Sequence, residues 1–300
     1  MEDDCSINSC RLVIAASVGV LDTVKFYLEE ENVDVDSADE AGCTALHRAS
    51  TVGNIDIVNY LISRGADVNI TRSHLSDPIF RPITPLVCSV SSGHVEVAKI
   101  LIQNGAKTDT IVNGRNLLDE AIFSNNPEMI SFLMSHGFDI DWHNDLGMTP
   151  LASAMSFRMD KSIKFLLENG ADYKKTSVSE RFPPLYYGIF HNRESMRFVE
   201  LLLNHIEQKE GRKGVVDYLN SNDNSKGFTA LHEACWSVHY DAVKLFLECG
   251  ADPDIRDKEG KKPYDLLHEY YVPNVCGQIK ALFESDKQHR RQANTFQNTI

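Results

Sequence analysis

Eleven histidines and seven cysteines are the residues of this chain best suited to catalysis or metal binding. A thiol becomes a nucleophile beside an imidazole, and both ligate zinc when they recur at close spacing. The cysteines stand at positions 5, 10, 43, 88, 235, 249 and 276, an odd number with no C-x-x-C pair. That pattern reads as reduced thiols of a cytoplasmic or nuclear protein. His232-Glu233 begins as a zinc-protease H-E-x-x-H string does, but the next histidine is His239, seven positions on instead of four. No Walker loop, G-x-G-x-x-G or G-x-S-x-G occurs. Catalytic, metal and cofactor sites are all expected to be absent, and the chain is expected not to be an enzyme.

What does recur is the frame around two of these histidines. Thr-Ala-Leu-His stands at 44–47 and again at 229–232. Gly42, Gly114, Gly147 and Gly227 are each followed 23 residues later by a second glycine, at 65, 137, 170 and 250. Before each second glycine, apolar residues fall at i, i+3 and i+4: Val58/Leu61/Ile62, Ile130/Leu133/Met134, Ile163/Leu166/Leu167 and Val243/Phe246/Leu247. That is helical spacing. Thr84-Pro85-Leu86 and Pro183-Pro184-Leu185 open further repeats, while Ala15–Gly19 and Gly260–Leu267 fit an opening and a closing one. The closing helix is predicted to start at Pro273 and to bury Val275, Ile279, Leu282 and Phe283. Thr44 and its counterparts can cap a first helix. The second glycine suits the left-handed residue that ends a second helix.

With Gly-Ala-Asp at 65–67, 170–172 and 250–252 added, the chain resembles the ankyrin-repeat family. The resemblance implies an all-α fold, an ankyrin-repeat solenoid of about eight helix-turn-helix units with β-turn fingers, in one array over residues 10–284. Residues 1–9 and the basic tail 285–300 are expected to be disordered. Two stretches exceed the repeat: an enlarged finger at 71–83, displaying Leu75 and Phe80, and a charged loop at 206–225. Such insertions map to exposed loops.

The resemblance also implies a non-enzymatic interaction scaffold or adaptor, whose fingers and first helices line a concave groove for a partner peptide or protein edge. The position after the finger glycine holds Arg115, Met148, Phe182 and Phe228 in repeats four to seven, and the end of the first helix holds Phe123, Phe157, Phe190 and Trp236. Aromatic and Met enrichment is what interface anchors look like; the alternative is that some rings pack between neighbouring repeats. Arg181 and the acids Asp145, Glu180 and Glu233 flank the row as a charged rim. A narrower reading makes Trp236, Phe228, Phe190 and Glu233 a cage for a methylated lysine. The conserved role of the Thr-x-Leu-His histidine in the family is to bridge adjacent fingers, which assigns His47 and His232 to structure. Asn69, after Asp67-Val68 and eight residues past Leu61, matches the family's asparagine-hydroxylation pattern. Two other roles stay open, a recognition or regulatory subunit of a larger enzyme such as a ubiquitin ligase, and a pathogen effector that sequesters a host protein.

Composition narrows the partner. Thirty Lys and Arg against 43 Asp and Glu give a net charge of −13, which argues against nucleic acid and anionic membranes. No apolar run approaches the roughly 20 residues of a membrane span. The N-terminus Met1-Glu2-Asp3-Asp4-Cys5 is acidic where a secretion signal is basic and then apolar. The expected partner is an extended protein segment, partly basic and apolar, bound by a chain that is monomeric alone.

Overall fold

The computed structural model describes residues 2–72, 83–178, 182–189, 196–267 and 273–297. Contacts gather into two compact units, Met1–Asp145 and Leu146–Ile300. Among the described residues every regular element is helical, and the only extended pairings are the single bridges Ala38–Thr44 and Val112–Arg115.

The N-terminal unit holds four helix pairs: α1 (Glu2–Val18) and α2 (Leu21–Glu29), α3 (Ala45–Val52) and α4 (Ile55–Ser63), α5 (Pro85–Ser91) and α6 (Val95–Gln103), α7 (Leu117–Phe123) and α8 (Pro127–Ser135). First helices pack on first helices, α1 on α3, α3 on α5 and α5 on α7. Second helices do the same, α2 on α4, α4 on α6 and α6 on α8. The predicted stripes explain this: Val58, Leu61, Val97, Leu101, Ile130 and Leu133 are buried to 1% exposure or less. Burying a side chain of that size is worth about 2 kcal/mol, and one pair alone has nothing to cover it. Side-chain caps mark where the first helices α3, α5 and α7 begin. Thr44, Thr84 and Asn116 each accept a backbone N–H from the residue three positions on.

The C-terminal unit repeats the scheme with α9 (Pro150–Phe157), α10 (Asp160–Glu168), α11 (Pro184–Ile189), α12 (Met196–Asn220), α13 (Ala230–Trp236), α14 (Tyr240–Glu248), a 3-10 turn at Pro263–Leu266 and α15 (Pro273–Gln297). Its first-helix row runs α9, α11, α13 and the 3-10 turn. Its second-helix row runs α10, α12, α14 and α15.

The structure corrects several expectations. The segment 1–9, expected to be disordered, is helical from Glu2, since no Gly or Pro interrupts it and Ser9, Leu12 and Val13 are buried. The stretch 206–225 is no charged loop: α12 runs through it to Asn220, broken at Gly211, whose φ is 73°. Beyond the break Val215, Tyr218 and Leu219 sit at i, i+3 and i+4 and are buried, and the Tyr218 hydroxyl donates to the Tyr173 carbonyl at 3.0 Å. The tail 285–300, also expected to be disordered, continues α15 to Gln297. There Arg290 pairs with Asp286 at 2.6 Å and donates to the Ala251 carbonyl at 2.8 Å. α15 begins at Pro273 as predicted, but Cys276 is buried while Val275 and Leu282 are only half-buried. Of the finger insertion 71–83, the ends are described: the Arg72 N–H donates to the Ile83 carbonyl at 2.9 Å.

Candidate functional site

The two Thr-Ala-Leu-His strings fold alike. The Thr44 side chain accepts the His47 N–H, and His47 Nδ1 accepts the Thr44 N–H at 3.3 Å, a reciprocal cap. With Nδ1 accepting, the proton is on Nε2, which donates to the Ile83 carbonyl of the next finger at 3.0 Å. His232 does the same, with the Thr229 N–H on Nδ1 at 3.0 Å and the Lys261 carbonyl 3.1 Å from Nε2. Burial holds both imidazoles below their usual pKa, in the neutral form. Both ring nitrogens are committed to the fold.

In the C-terminal unit the same helix starts carry aromatic residues. Phe182 stacks on Tyr186 (centroids 4.9 Å, 12°) and Phe228 on His232 (5.4 Å, 13°). The Tyr186 hydroxyl donates to the Phe228 carbonyl at 2.7 Å. Expected as displayed anchors, Met148, Phe182 and Phe228 are instead buried, at 8%, 6% and 5% exposure, the two rings within these stacks. Trp236 and Phe157, ending α13 and α9, do present themselves to solvent, at 42% and 47%. Glu233 corrects the reading of a charged rim: it is 1% exposed, its Oε1 has no hydrogen-bond partner, and burial pushes its carboxyl up to about 7, against the pull of Lys226.

Lys226 is the residue that sequence reasoning missed. Its Nζ lies 5.7 Å from the Phe182 ring centroid, 5.4 Å from Phe228 and 5.6 Å from Trp236, within cation–π range of all three. Asn224 fixes the turn beneath it, with Oδ1 accepting the N–H groups of Lys226 (3.2 Å) and Phe228 (2.9 Å). The Lys226 carbonyl accepts the Lys258 N–H at 3.1 Å. The only signal in the sequence was a lysine two residues before an aromatic finger position.

In the N-terminal unit Arg115 Nε donates to Glu120 Oε1 at 3.0 Å, and its guanidinium lies 4.6 Å from the Phe123 ring centroid. The Ser91 hydroxyl donates to the other Glu120 oxygen at 3.0 Å. Asp119 takes the place of the capping histidine, accepting the Asn116 N–H at 3.1 Å, and burial pushes it up to about 6. The Asn69 amide joins repeats, donating to the Gly105 carbonyl at 3.0 Å and accepting the Lys107 N–H at 2.8 Å. Leu75, Phe80, Arg181, Glu180 and Phe190, named as candidates, lie outside the described residues.

Among the described residues no cluster of His, Cys, Asp and Glu could hold a metal ion, and no helix is long and apolar enough to cross a membrane. Burial raises the thiols of Cys43, Cys235 and Cys249, and lifts Cys88 to about 11, so none is a ready nucleophile.

The family model for ankyrin repeats in three copies matches residues 3–72, 73–144, 108–177 and 179–257. The chain belongs to the ankyrin-repeat family. Protein–protein interaction is the general role of this fold, and ankyrin repeats as such are typically non-catalytic. The chain is similar to a mitochondrial disaggregase of Bos taurus, 30% identical over 59% of this chain and 24% of that protein. It is similar also to the palmitoyltransferase AKR1 of Lachancea kluyveri, 31% identical over 58% and 24%. The ankyrin repeat protein OPG189 of monkeypox virus is 27% identical over 50% of this chain and 25% of its own. The chain thus spans about a quarter of each of these relatives.

Proposed function

We propose that this ankyrin-repeat chain is a non-enzymatic binding module that holds a partner polypeptide against the fingers and first helices of its Leu146–Ile300 unit. One observation carries this reading. Phe157 and Trp236 end first helices whose other apolar side chains are buried, yet both stay close to half exposed. Leaving two large rings in water forgoes burial worth a few kcal/mol, and partner contact is what recovers it. Leu146 and Val178, on adjacent fingers, are also exposed, at 69% and 67%. The net charge of −13 favours a partner segment with basic residues among apolar ones. A cytoplasmic or nuclear setting belongs to the same reading and is supported by the unpaired thiols.

The test is affinity capture with the wild-type chain and with Phe157→Ala/Trp236→Ala as bait. Proteins that depend on the proposed face are lost from the double variant while its melting temperature stays within about 3 °C of wild type. Capture unchanged by the double variant contradicts the face. A second reading, a recognition segment within or beside a larger enzyme, draws on relatives named for enzymatic activity in which the match occupies about a quarter of the length. An enzyme co-purifying stoichiometrically through the same face favours that version.

A further inference from the structure

Among the described residues, Glu233 is the one acid of the C-terminal unit's first-helix row that is buried without a cation bonded to it. Its counterpart in the N-terminal unit shows what is missing. Glu120 and Glu233 occupy the same place, the residue after the third helical position, and each is followed three residues on by an aromatic, Phe123 or Trp236. Residues three apart share a helix face, so both acids stand beside their rings. At Glu120 the finger supplies the cation: Arg115 Nε donates to the carboxylate at 3.0 Å while the guanidinium covers Phe123 at 4.6 Å. At Glu233 the finger position of Arg115 is taken by Phe228. The arginine has been exchanged for a third ring, and Oε1 is left without a partner at 1% exposure.

What stands nearest is Lys226. Its ammonium lies 5.4 to 5.7 Å from three ring centroids, but no hydrogen bond or ion pair joins it to Glu233 among the described contacts. An ammonium can sit over a ring face. A planar guanidinium can cover the ring and donate sideways to a carboxylate at once, as Arg115 does. The Lys226 backbone is fixed by Asn224 and Lys258, but the residue is exposed, and a lysine's four-carbon stem has the rotatable bonds to carry the ammonium aside.

We propose that Phe182, Phe228, Trp236 and Glu233 form a binding site for the guanidinium of a partner's arginine, and that Lys226 occupies the site until the arginine displaces it. The incoming side chain reproduces the Arg115–Glu120–Phe123 arrangement, with Phe182 and Phe228 as two further rings. This deepens the partner-binding reading above and rests on it, since it names the residue that the partner brings to that face. Lys226 then acts as an internal competitor, so its removal strengthens binding instead of weakening it.

The test uses the full chain with Trp142→Phe, which leaves Trp236 as the reporting indole. Its emission is titrated with N-acetyl-arginine amide, and with N-acetyl-citrulline amide, which has nearly the same shape and no charge. The expected result is saturable quenching by the arginine amide, tightened about tenfold by Lys226→Ala, with no comparable response to the citrulline amide. Adding Glu233→Gln to Lys226→Ala removes the arginine response. Equal responses to both amides, or affinity unchanged or weakened by Lys226→Ala, overturn the proposal. The comparison of wild-type and alanine at 226 needs no change at Glu233, so it stands whatever that variant does to folding. If the arginine site fails while partner capture still depends on Phe157 and Trp236, only the arginine site is wrong. If capture fails as well, the face itself is wrong.

Discussion

His232 and Glu233 are adjacent in the chain, and burial moves their protons in opposite senses. The folded protein keeps Glu233 protonated to about pH 7, while an unfolded chain releases that proton near pH 4.3. Stability from the protonated carboxyl is therefore full below about pH 4.3 and lost as pH rises through about 7. His47 and His232 run the other way, because their folded pKa values lie below the usual 6.5. Their contribution is full above that value and is lost as pH falls through the lowered one. Glu233→Gln is expected to stabilise the chain at pH 8 by about 2 kcal/mol and to change little at pH 4.5, read from urea unfolding at the two pH values. A variant less stable at pH 8 would mean that the ionised carboxylate has a partner in the folded state. The histidines' role followed from the family resemblance, which the recurrence of Thr-Ala-Leu-His at 44–47 and 229–232 carries. The sequence misplaced Glu233 at a rim, because an acid one residue past a capping histidine looks like any charged residue of a helix until the neighbouring rings close over it.

At the scale of elements, turns and caps decide which helices form. Gly53 closes α3 at φ 78°, and a Cβ there would meet the His94 ring at 2.4 Å, the ring that donates to the Thr51 carbonyl at 3.0 Å. Gly65 has a similar φ of 87° with nothing within 4 Å of a Cβ. Gly53→Ala is expected to cost about 3 kcal/mol, strain plus displacement of His94. Gly65→Ala is expected to cost only about 1 kcal/mol of strain. Equal costs, measured by chemical denaturation, would show that the His94 contact contributes nothing. These glycines, the caps and the apolar stripes were legible because each is a local signal. Three features were not: the helix through 206–220, the helical tail and the helical N-terminus. In the first, charged residues on the outer face masked the buried Val215, Tyr218 and Leu219, and Gly211 looked like a loop glycine although it only breaks one helix into two; the two ends are so polar that no apolar stripe marked them as helices.

For the molecule as a whole, repetition made the fold readable over nearly its full length, while the partner face depends on where the repeats differ. The aromatic positions of the C-terminal unit were visible in the sequence, but which rings are buried was not. Phe182 and Phe228 are aromatic like Phe157 and Trp236, and it is stacking on Tyr186 and His232 in the folded chain that marks the first two as buried. Lys226 was invisible for a related reason, since its place over three rings depends on a turn held by Asn224. Hydrogen exchange of the chain with and without its captured partner tests the binding face most directly. The expected result is slowed exchange at Leu146–Phe157 and Asn224–Ser237, with α10 and α14 unchanged. Protection concentrated in α10 and α14, with those first-helix segments unaffected, would contradict it.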